Sequence, residues 1–308
     1  MIDSKFDKIG IKVMKSIGID KPELIGKGDQ AWVYKYQPGL IVKVYKNTNE
    51  QYIESLAEFM KRISSFNLPV SLPEIYEINK IDGYFYNIEK ELSGSPLGKI
   101  FPSLTYSQKK YSTEKYFEVL KYLHEIELPE YKFGQVLNTG EDITSESWVD
   151  FLDKKLSQRA AIVQPRLEKD VVGFRVKMDL MREVFKKKLK FSDHILVHGD
   201  YLYNNVLFDD NLNLTSVIDF SNSTMVGDFR MDIACAVMYF DLDETLNHYL
   251  IELAQKQYGE EIINVIKYYT AYQAFFQTES YLYNKGLYVW CLKHLNSSEL
   301  WKFIENSL

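Results

Sequence analysis

The sequence predicts an α+β protein with a small, β-rich N-terminal lobe and a larger, mainly helical C-terminal lobe. Two patterns along the 308 residues support this fold class. Before residue 92, short runs of alternating apolar and polar residues indicate strands. After residue 96, apolar residues recur at helical spacing. The turn-forming stretch SGSP at residues 93–96 separates the two patterns, so we expect one domain at residues 1–92 and a second at residues 93–308.

The N-terminal lobe is predicted to carry a β-hairpin, one helix and further strands. The runs AWVYKY and LIVKVYK alternate on either side of Gln37-Pro38-Gly39, which is typical of a hairpin. Apolar residues from Ile53 to Ile63 share one face of the helix that follows. The expected strands are residues 23–25, 31–36, 40–46, 72–78 and 84–91, and the expected helix is residues 49–66.

The C-terminal lobe is predicted to be mostly helical, with three short strands around a polar segment. Phe117, Leu120 and Leu123, for example, fall in helical register. The expected helices are residues 113–126, 147–160 and 176–189, with more after residue 231, and the expected strands are residues 195–197, 206–208 and 216–218.

Composition and charge exclude several classes of protein. The formal net charge is −6 and the pI is about 5.5, so no basic surface for nucleic acid is expected. No apolar run reaches the roughly 18 residues that a membrane helix needs, and the N-terminal MIDSKFDKIG lacks the apolar region of a signal peptide. Cys235 and Cys291 both lie in apolar company, as reduced thiols do. We therefore expect a cytoplasmic protein that is a monomer or a weak dimer.

The polar segment between the short strands predicts the chemistry. His198-Gly199-Asp200 is followed five residues after the Asp by Asn205, and Asp219 ends a later strand. This is the layout of phosphoryl transfer in kinase-like folds. The carboxylate of Asp200 can accept the proton of a substrate hydroxyl, while Asn205 and Asp219 offer the oxygen ligands that Mg²⁺ prefers. Ordinary turn formation is the competing explanation, and we accept it only for Asp209, Asp210 and Asn211.

The N-terminal lobe carries residues suited to a nucleotide. Gly26 and Gly28 lie in a turn between two expected strands, where small residues let backbone N–H groups approach phosphate oxygens, although a hairpin can need glycine for its geometry alone. Lys43, on the next strand, can hold the α- and β-phosphates. A carboxylate must then orient this lysine. Glu54 and Glu58 lie one helical turn apart on the expected helix, and Glu58 is the favoured partner.

Two further sequence features bear on this interpretation. The stretch GSPLGK at residues 94–99 is one residue too short for a P-loop and lacks its hydroxyl, so that motif is excluded. Asp228 and Asp232 follow the catalytic segment, and Asp232 falls in the first turn of an expected helix. There a carboxylate can cap the helix, or one of the two can hold the catalytic loop in place.

These residues resemble the aminoglycoside phosphotransferase family, a branch of the protein-kinase-like fold, and are similar to hygromycin-type antibiotic kinases. The stretches that carry the resemblance are LVHGDYLYNNVLFDD, VIDF, GDFRMDIA, IVKVYK, IEKELSGSPL and FGQVLNTGEDITSESWVDFL. The resemblance implies that Asp200 is the catalytic base, that Asn205 and Asp219 hold Mg²⁺, and that Lys43 holds ATP or GTP. It also implies a hinge at residues 88–97, including Glu89, Lys90 and Leu92, whose backbone holds the nucleobase.

Three departures from the family pattern matter. The catalytic loop reads Tyr201-Leu202-Tyr203-Asn204 where many relatives have Leu-His-Pro-Gly, so Tyr203 is expected to reshape the acceptor pocket. The Gly-rich turn looks more like that of a protein kinase. Phe220-Ser221 follows Asp219 where protein kinases have Phe-Gly, and the dozen residues from Asp219 to Met231 are too few for an activation segment, which disfavours a protein kinase.

The acceptor is expected to be a small molecule, with an aminoglycoside-like antibiotic favoured. From Asp228 to Leu308 there are 11 Asp and Glu against 6 Lys and Arg, an excess that suits a polycation but is also typical of an ordinary solvated surface. Tyr239, Tyr269, Tyr272, Tyr281 and Trp290 could stack on sugar rings or simply fill the core. Two alternatives remain: a housekeeping kinase for an amino alcohol, sugar or amino acid, and a non-catalytic ATP-binding scaffold.

Overall fold

A computed structural model describes residues 2–28, 30–140 and 144–308 of the chain, with side chains from residue 8 onward. The strands in chain order are β1 (Leu24–Lys27), β2 (Ala31–Lys35), β3 (Leu40–Tyr45), β4 (Ile75–Ile81), β5 (Tyr84–Lys90), β6 (Ser95–Pro96), β7 (Phe133–Gln135), β8 (Thr144–Ser145), β9 (Ile195–Val197), β10 (Val206–Phe208), β11 (Leu214–Val217) and β12 (Met225–Gly227).

The α-helices are α1 (Ile2–Ser16), α2 (Glu50–Ile63), α3 (Leu97–Ile100), α4 (Tyr106–Leu123), α5 (Trp148–Asp170), α6 (Phe174–Lys188), α7 (Arg230–Met238), α8 (Glu244–Tyr258), α9 (Ile262–Phe276), α10 (Lys285–Leu295) and α11 (Ser298–Ser307). An N-terminal antiparallel sheet followed by a mainly helical C-terminal part confirms the predicted fold class.

The chain divides into two compact units that do not follow the sequence in simple order. The first unit comprises Met1–Leu97, Val136–Asp142 and Val206–Asn222, and the second comprises Gly98–Gln135, Ile143–Asn205 and Ser223–Leu308. Asp219 therefore belongs to the first unit, with Lys43, whereas Asp200 and Asn205 belong to the second.

The first unit is built on a five-stranded antiparallel sheet in the order β1-β2-β3-β5-β4. Alternation along β3 sends Val42 and Val44 to one face, where they pack with Trp32 of β2 and with Val13 and Met14 of α1. The opposite face carries Lys43 and Tyr45, so one face of the sheet is an apolar core and the other is polar. A smaller three-stranded sheet, β11-β10-β6, completes this unit.

The second unit combines helices with a four-stranded sheet in the order β8-β7-β12-β9. All three residues of β9 are buried, and β12 pairs antiparallel with it from Met225 to Gly227. The helices α7 and α9 pack closely against each other, and α9 is buried along most of its length. The antiparallel pairing with β12 fixes β9, and with it the start of the polar segment at His198. Within the described residues, no helix is long and apolar enough to cross a membrane.

The structure corrects several predicted boundaries. The helix α1 was not predicted, and neither were the strands β7 and β12. The capping box formed by Thr105 and Gln108 starts α4 at Tyr106, seven residues earlier than expected. The helix α5 continues ten residues beyond the predicted end at residue 160, through Pro165, because its buried residues Val163 and Leu167 continue the apolar face.

Candidate active site

The loop that follows β9 is held by a buried carboxylate. Asp232, in the first turn of α7, is fully buried and accepts hydrogen bonds from the backbone N–H groups of His198 (2.7 Å) and Gly199 (2.8 Å). Gly199 has a φ of +75°, and a Cβ there would lie 1.8 Å from a backbone carbonyl oxygen, so the position requires glycine. These contacts fix the backbone immediately before Asp200.

Asp232 and Asp228 have separate roles. Burial raises the pKa of Asp232 to about 6, although His198 and the donated backbone hydrogen bonds act in the opposite direction. Asp228 is equally buried, but it pairs with Arg230 through both oxygens (2.7 and 2.6 Å) and accepts a hydrogen bond from Tyr269 (2.6 Å). Of the two roles that the sequence left open for these carboxylates, Asp232 therefore holds the loop that follows β9.

A pair of stacked tyrosines anchors the same loop to α4. The rings of Tyr116 and Tyr201 lie 5.0 Å apart at an interplanar angle of 20°. Each hydroxyl donates to the backbone carbonyl oxygen of the other residue, Tyr201 to Tyr116 at 2.6 Å and Tyr116 to Tyr201 at 3.1 Å. Both side chains are almost completely buried. Asp200 thus lies between two fixed backbone points, with Gly199 on one side and Tyr201 on the other.

The predicted catalytic base contacts one of the predicted metal ligands. The side-chain amide of Asn205 donates to the backbone oxygen of Asp200 (2.8 Å) and to its carboxylate oxygen Oδ2 (3.2 Å). Asn205 is buried, while Asp200 is half-buried. Because the amide nitrogen is engaged with Asp200, the carbonyl oxygen Oδ1 is the atom with which Asn205 can bind a cation.

Lys43 and Asp219 meet on the polar side of the first unit. The ammonium of Lys43 lies 3.9 Å from Oδ1 of Asp219, and 21% of the Lys43 side chain and 47% of the Asp219 side chain are exposed. Asp219 has a φ of +69°, a left-handed conformation that Asp tolerates better than most residues. The next residue, Phe220, is buried, and its ring lies 6.2 Å from that of Phe59 on α2, which anchors this strained backbone.

The carboxylates of α2 do not approach Lys43. The buried face of α2 presents apolar and aromatic side chains, whereas Glu54 and Glu58 lie on its exposed face. Within residues 2–28, 30–140 and 144–308, neither glutamate forms an ion pair with Lys43. The pairing of Lys43 with Glu58 therefore stays a prediction without a contact to support it. A different carboxylate, that of Glu89 on β5, is buried on the Lys43 face of the sheet.

The Gly-rich turn does not need glycine for its own geometry. Neither Gly26 nor Gly28 has a φ in the left-handed region, and a Cβ on either would meet only ordinary contacts, at 3.4 Å from Val33 and 3.6 Å from Ala31 respectively. Asp29, the next residue, lies outside the described residues. Neither a left-handed backbone nor a close contact therefore requires glycine at these two positions.

The predicted hinge leaves the backbone N–H of Leu92 available. The N–H of Lys90 donates to Glu74 (2.9 Å) and that of Glu91 donates to Gly39 (2.8 Å), which ties the end of β5 into the sheet. The N–H of Leu92 has no acceptor in the part of the chain that the structure describes. The side chain of Lys90 is exposed.

A polar cavity of about 220 Å³ opens beside the end of β3 in the first unit. Its lining residues share amide or hydroxyl side chains and are Gln30, Tyr45, Asn47, Thr48, Asn49, Tyr52, Thr139 and Asn222. Burial raises the pKa of Tyr45 and of Tyr52, and the negative charge of Asp219 adds to both shifts. An uncharged polar space therefore lies close to Asp219.

The acidic excess of the C-terminal region is largely engaged within the protein. Asp241 accepts a hydrogen bond from the catalytic-loop residue Tyr203 (2.7 Å), and Asp243 caps α8. Glu279 forms an ion pair with Arg159. Glu260 and Glu261 accept hydrogen bonds from neighbouring amides. Among the aromatic candidates, Tyr269 and Tyr272 are buried, which confirms core packing for both.

Asn205 and Asp219, which belong to different compact units, each carry donor atoms that suit a cation bound together with a nucleotide. No cluster of three or more His, Cys, Asp or Glu side chains that could hold a metal occurs among the described residues. Asp219 and Asn205 each offer a hard oxygen, and Mg²⁺ is usually bound through one or two such ligands together with substrate phosphates and water. Thus the donor chemistry of these two residues fits Mg²⁺.

Sequence reasoning missed two groups that shape the site. Tyr116 lies 85 residues before Tyr201, and its regular position on a helical face gave no signal of a role in the loop. Glu89 was assigned to the hinge as backbone, whereas its carboxylate is buried on the Lys43 face. The one available signal was a charged residue inside a strand that otherwise reads as buried, YFYNIEK.

Comparisons with known proteins place the chain in a class. Its fold is that of the kinase-like phosphotransferases, as the solved structures below show. Residues 7–262 match the sequence model of the Phosphotransferase enzyme family, which covers most of the chain, and the protein therefore belongs to that family. A search of curated proteins found no match.

Solved structures with this fold include antibiotic phosphotransferases at low sequence identity. The streptomycin–ATP ternary complex of APH(2″)-IIa is 19% identical, with a TM-score of 0.64 over 95% of this chain and 97% of the other. The GDP complex of aminoglycoside 2′-phosphotransferase-IIIa is 14% identical, with a TM-score of 0.65 over 99% of each chain. The macrolide 2′-phosphotransferase MphH from Brachybacterium faecium is 14% identical, with a TM-score of 0.56 over 94% and 98%.

Proposed function

We propose that this protein is an enzyme that transfers the γ-phosphoryl group of ATP or GTP to a hydroxyl of a small molecule, with an aminoglycoside-like antibiotic as the favoured acceptor. The observation that carries the proposal is the catalytic loop. Asp200 is half-buried between backbone points fixed by Asp232 and Tyr201, and Asn205 contacts its carboxylate. Such preorganisation is what a general base needs.

In the proposed reaction, Asp200 orients the acceptor hydroxyl and takes its proton. The hydroxyl oxygen forms a bond to the γ-phosphorus while the bond to the bridging oxygen breaks, and the nucleoside diphosphate leaves with that electron pair. Lys43 neutralises charge on the phosphates. Bound Mg²⁺, held by Asn205 and Asp219, would supply further charge neutralisation.

Residues 1–92 are proposed to bind the nucleotide, and residues 93–308 to provide catalysis and acceptor binding. Neither a left-handed φ nor a close contact requires glycine at Gly26 and Gly28, and this supports a role for them in ligand binding. The N–H of Leu92, without an acceptor among the described residues, supports a nucleobase at the Glu89–Leu92 hinge. Glu58 is retained as a proposed partner of Lys43, although its exposed position lends it no support.

Aromatic residues of the second unit support an acceptor site near Asp200. Tyr239 and Trp290 have their rings 5.0 Å apart. The hydroxyl of Tyr239 is buried, and the side chain of Gln277 lies close enough to act on it. The pKa of Tyr239 is raised by burial, and the charge of Asp200 is among the further causes, so Tyr239 and Asp200 lie within electrostatic reach of each other.

A less cationic acceptor, such as an amino alcohol, sugar or amino acid, is the second candidate. The engagement of Asp241, Asp243 and Glu279 by groups of the protein favours it, because these carboxylates are then less available to a polycation. An acceptor screen separates the two candidates.

The test is a coupled assay of ADP release with ATP and Mg²⁺, screened over aminoglycosides, macrolides, choline, homoserine and simple sugars. One acceptor class should stimulate release, and Asp200→Ala should lower that stimulated rate by at least about 1,000-fold while nucleotide affinity stays near normal. Asp210→Ala, at an exposed turn residue, is the matched control and should keep full activity. Undiminished stimulation in Asp200→Ala would sink the assignment.

A further inference from the structure

A buried carboxylate lies on the same face of the sheet as Lys43. Lys43 on β3 is the register partner of Asn87 on β5. Glu89 follows Asn87 by two residues, so the two side chains share that face. Glu89 is 8% exposed and Asn87 is fully buried. The side-chain amide of Asn87 donates to Oε2 of Glu89 (3.2 Å) and to the hydroxyl of Tyr45 (3.1 Å), which fixes the Glu89 carboxylate in place.

Such a carboxylate needs compensation, because removing a charge from water is costly. Burial raises the pKa of Glu89, and the two groups that oppose this shift are the Lys43 ammonium and the Asn87 amide. The Lys43 ammonium thus acts on the Glu89 carboxylate through space, since the two form no ion pair among the described residues. Lys43 is also the residue that the proposed function needs to hold fixed.

Among the described residues, the carboxylates of Asp219 and Glu89 both act on Lys43, and they differ in exposure and in proposed role. Asp219 is 3.9 Å away and nearly half exposed, and the proposed function assigns it to the metal. Glu89 is buried and has no such second duty. The glutamates of α2 are exposed, and α2 instead presents Phe59 to Phe220.

We propose that Glu89 is the positioning residue for Lys43, holding its ammonium against β5 when Asp219 turns to the metal. This inference rests on the proposed nucleotide-binding function and deepens it. The sequence favoured Glu58 on α2 as the residue that orients Lys43, whereas this inference gives that role to Glu89 on β5. The shape of Glu89 is matched by glutamine, so Glu89→Gln removes the charge with little change in packing.

The test is a double-mutant cycle measured by calorimetric titration of the full chain with ATP and saturating Mg²⁺. Glu89→Gln should weaken binding about tenfold, and Glu89→Asp, which keeps the charge, should recover part of the loss. Glu77→Gln, at an exposed carboxylate on β4 with no proposed role, is the matched control and should stay within about twofold of the parent protein, and Glu58→Gln is measured beside it as the alternative partner. Lys43→Ala should weaken binding as well, and adding Glu89→Gln to it should have no further effect, because the partner is already gone.

Three outcomes would overturn the inference. The first is Glu89→Gln with parent-like affinity while Lys43→Ala weakens binding. The second is a double variant whose loss of affinity equals the product of the two single losses. That result would mean that Lys43 and Glu89 act independently. The third is loss of binding in Glu58→Gln but not in Glu89→Gln. Melting temperatures of all variants show that each is folded. A parent protein that fails to bind any nucleotide would instead defeat the proposed function, and this inference with it.

Discussion

Removal of the Asp232 carboxylate should destabilise the protein and disable its catalytic loop together. Asp232 is fully buried and accepts hydrogen bonds at 2.7 and 2.8 Å from the backbone of His198 and Gly199. In Asp232→Ala both N–H groups lose their acceptor. Each buried donor left without a partner costs about 1–3 kcal/mol, so the expected loss of unfolding free energy is about 4 kcal/mol.

The same change should lower kcat without lowering nucleotide affinity. His198 and Gly199 lead directly into Asp200, so releasing their backbone displaces the proposed base. A displacement on the order of 1 Å typically costs about 100-fold in rate. Lys43 and the Gly-rich turn belong to the other compact unit, so the affinity for ATP should change little.

Urea unfolding followed by tryptophan fluorescence measures the stability change, and the coupled ADP-release assay measures kcat. Ser297→Ala is a suitable control, because Ser297 caps α11 through the N–H of Leu300 (3.2 Å). Its loss should cost about 1 kcal/mol and leave kcat unchanged. The reasoning is refuted if Asp232→Ala loses less than about 1 kcal/mol, because two unpaired buried donors cannot cost so little.

Three further predictions concern pH, the glycine turn and the metal. The folded pKa of Asp232, about 6, lies above its unfolded value of 3.8, so the stability linked to this group is full below about pH 4 and is lost as pH rises through 6. The loss is about 3 kcal/mol, and Asp232→Asn should flatten that part of a urea-midpoint profile; an unchanged slope would contradict the assigned cause. Gly28→Ala should raise the KM for ATP about tenfold with no change in melting temperature. By contrast, Gly39→Ala, at a φ of +77° in the β2–β3 turn, should lower the melting temperature and leave KM alone, and the opposite pattern would argue against a ligand at Gly28. Asp219→Ala should abolish the Mg²⁺ dependence of nucleotide binding in the same titration, so binding that still responds to Mg²⁺ would remove Asp219 from the metal site.

Local chemistry in the sequence was enough to predict the fold class and the contact between Asp200 and Asn205. The spacing of Asp200 and Asn205 along one loop brings them together, and the contact between Asn205 and Asp200 is present. The alternation of β3 placed Lys43 opposite the apolar core in the same way. These features depend on residues close in the chain, where periodicity and turn chemistry decide the geometry.

The sequence also determined the family, because residues 7–262 match the sequence model of the Phosphotransferase enzyme family. It did not determine which carboxylate faces Lys43. Glu58 lies on a predicted helix and Glu89 on a predicted strand. The sequence pattern does not say which of the two side chains points toward the interior. The structure exposes Glu58 and buries Glu89.

Only the tertiary structure decided how the catalytic loop is held. Asp232 reaches His198 across 34 residues, and Tyr116 reaches Tyr201 across 85. Neither pairing leaves a periodic trace in the sequence, because each depends on how α7 and α4 pack in the second unit. The amino-acid order thus determined which groups are available for chemistry. The packing of distant segments decided which of those groups are buried, and burial is what fixes a loop backbone and shifts the pKa of a carboxyl.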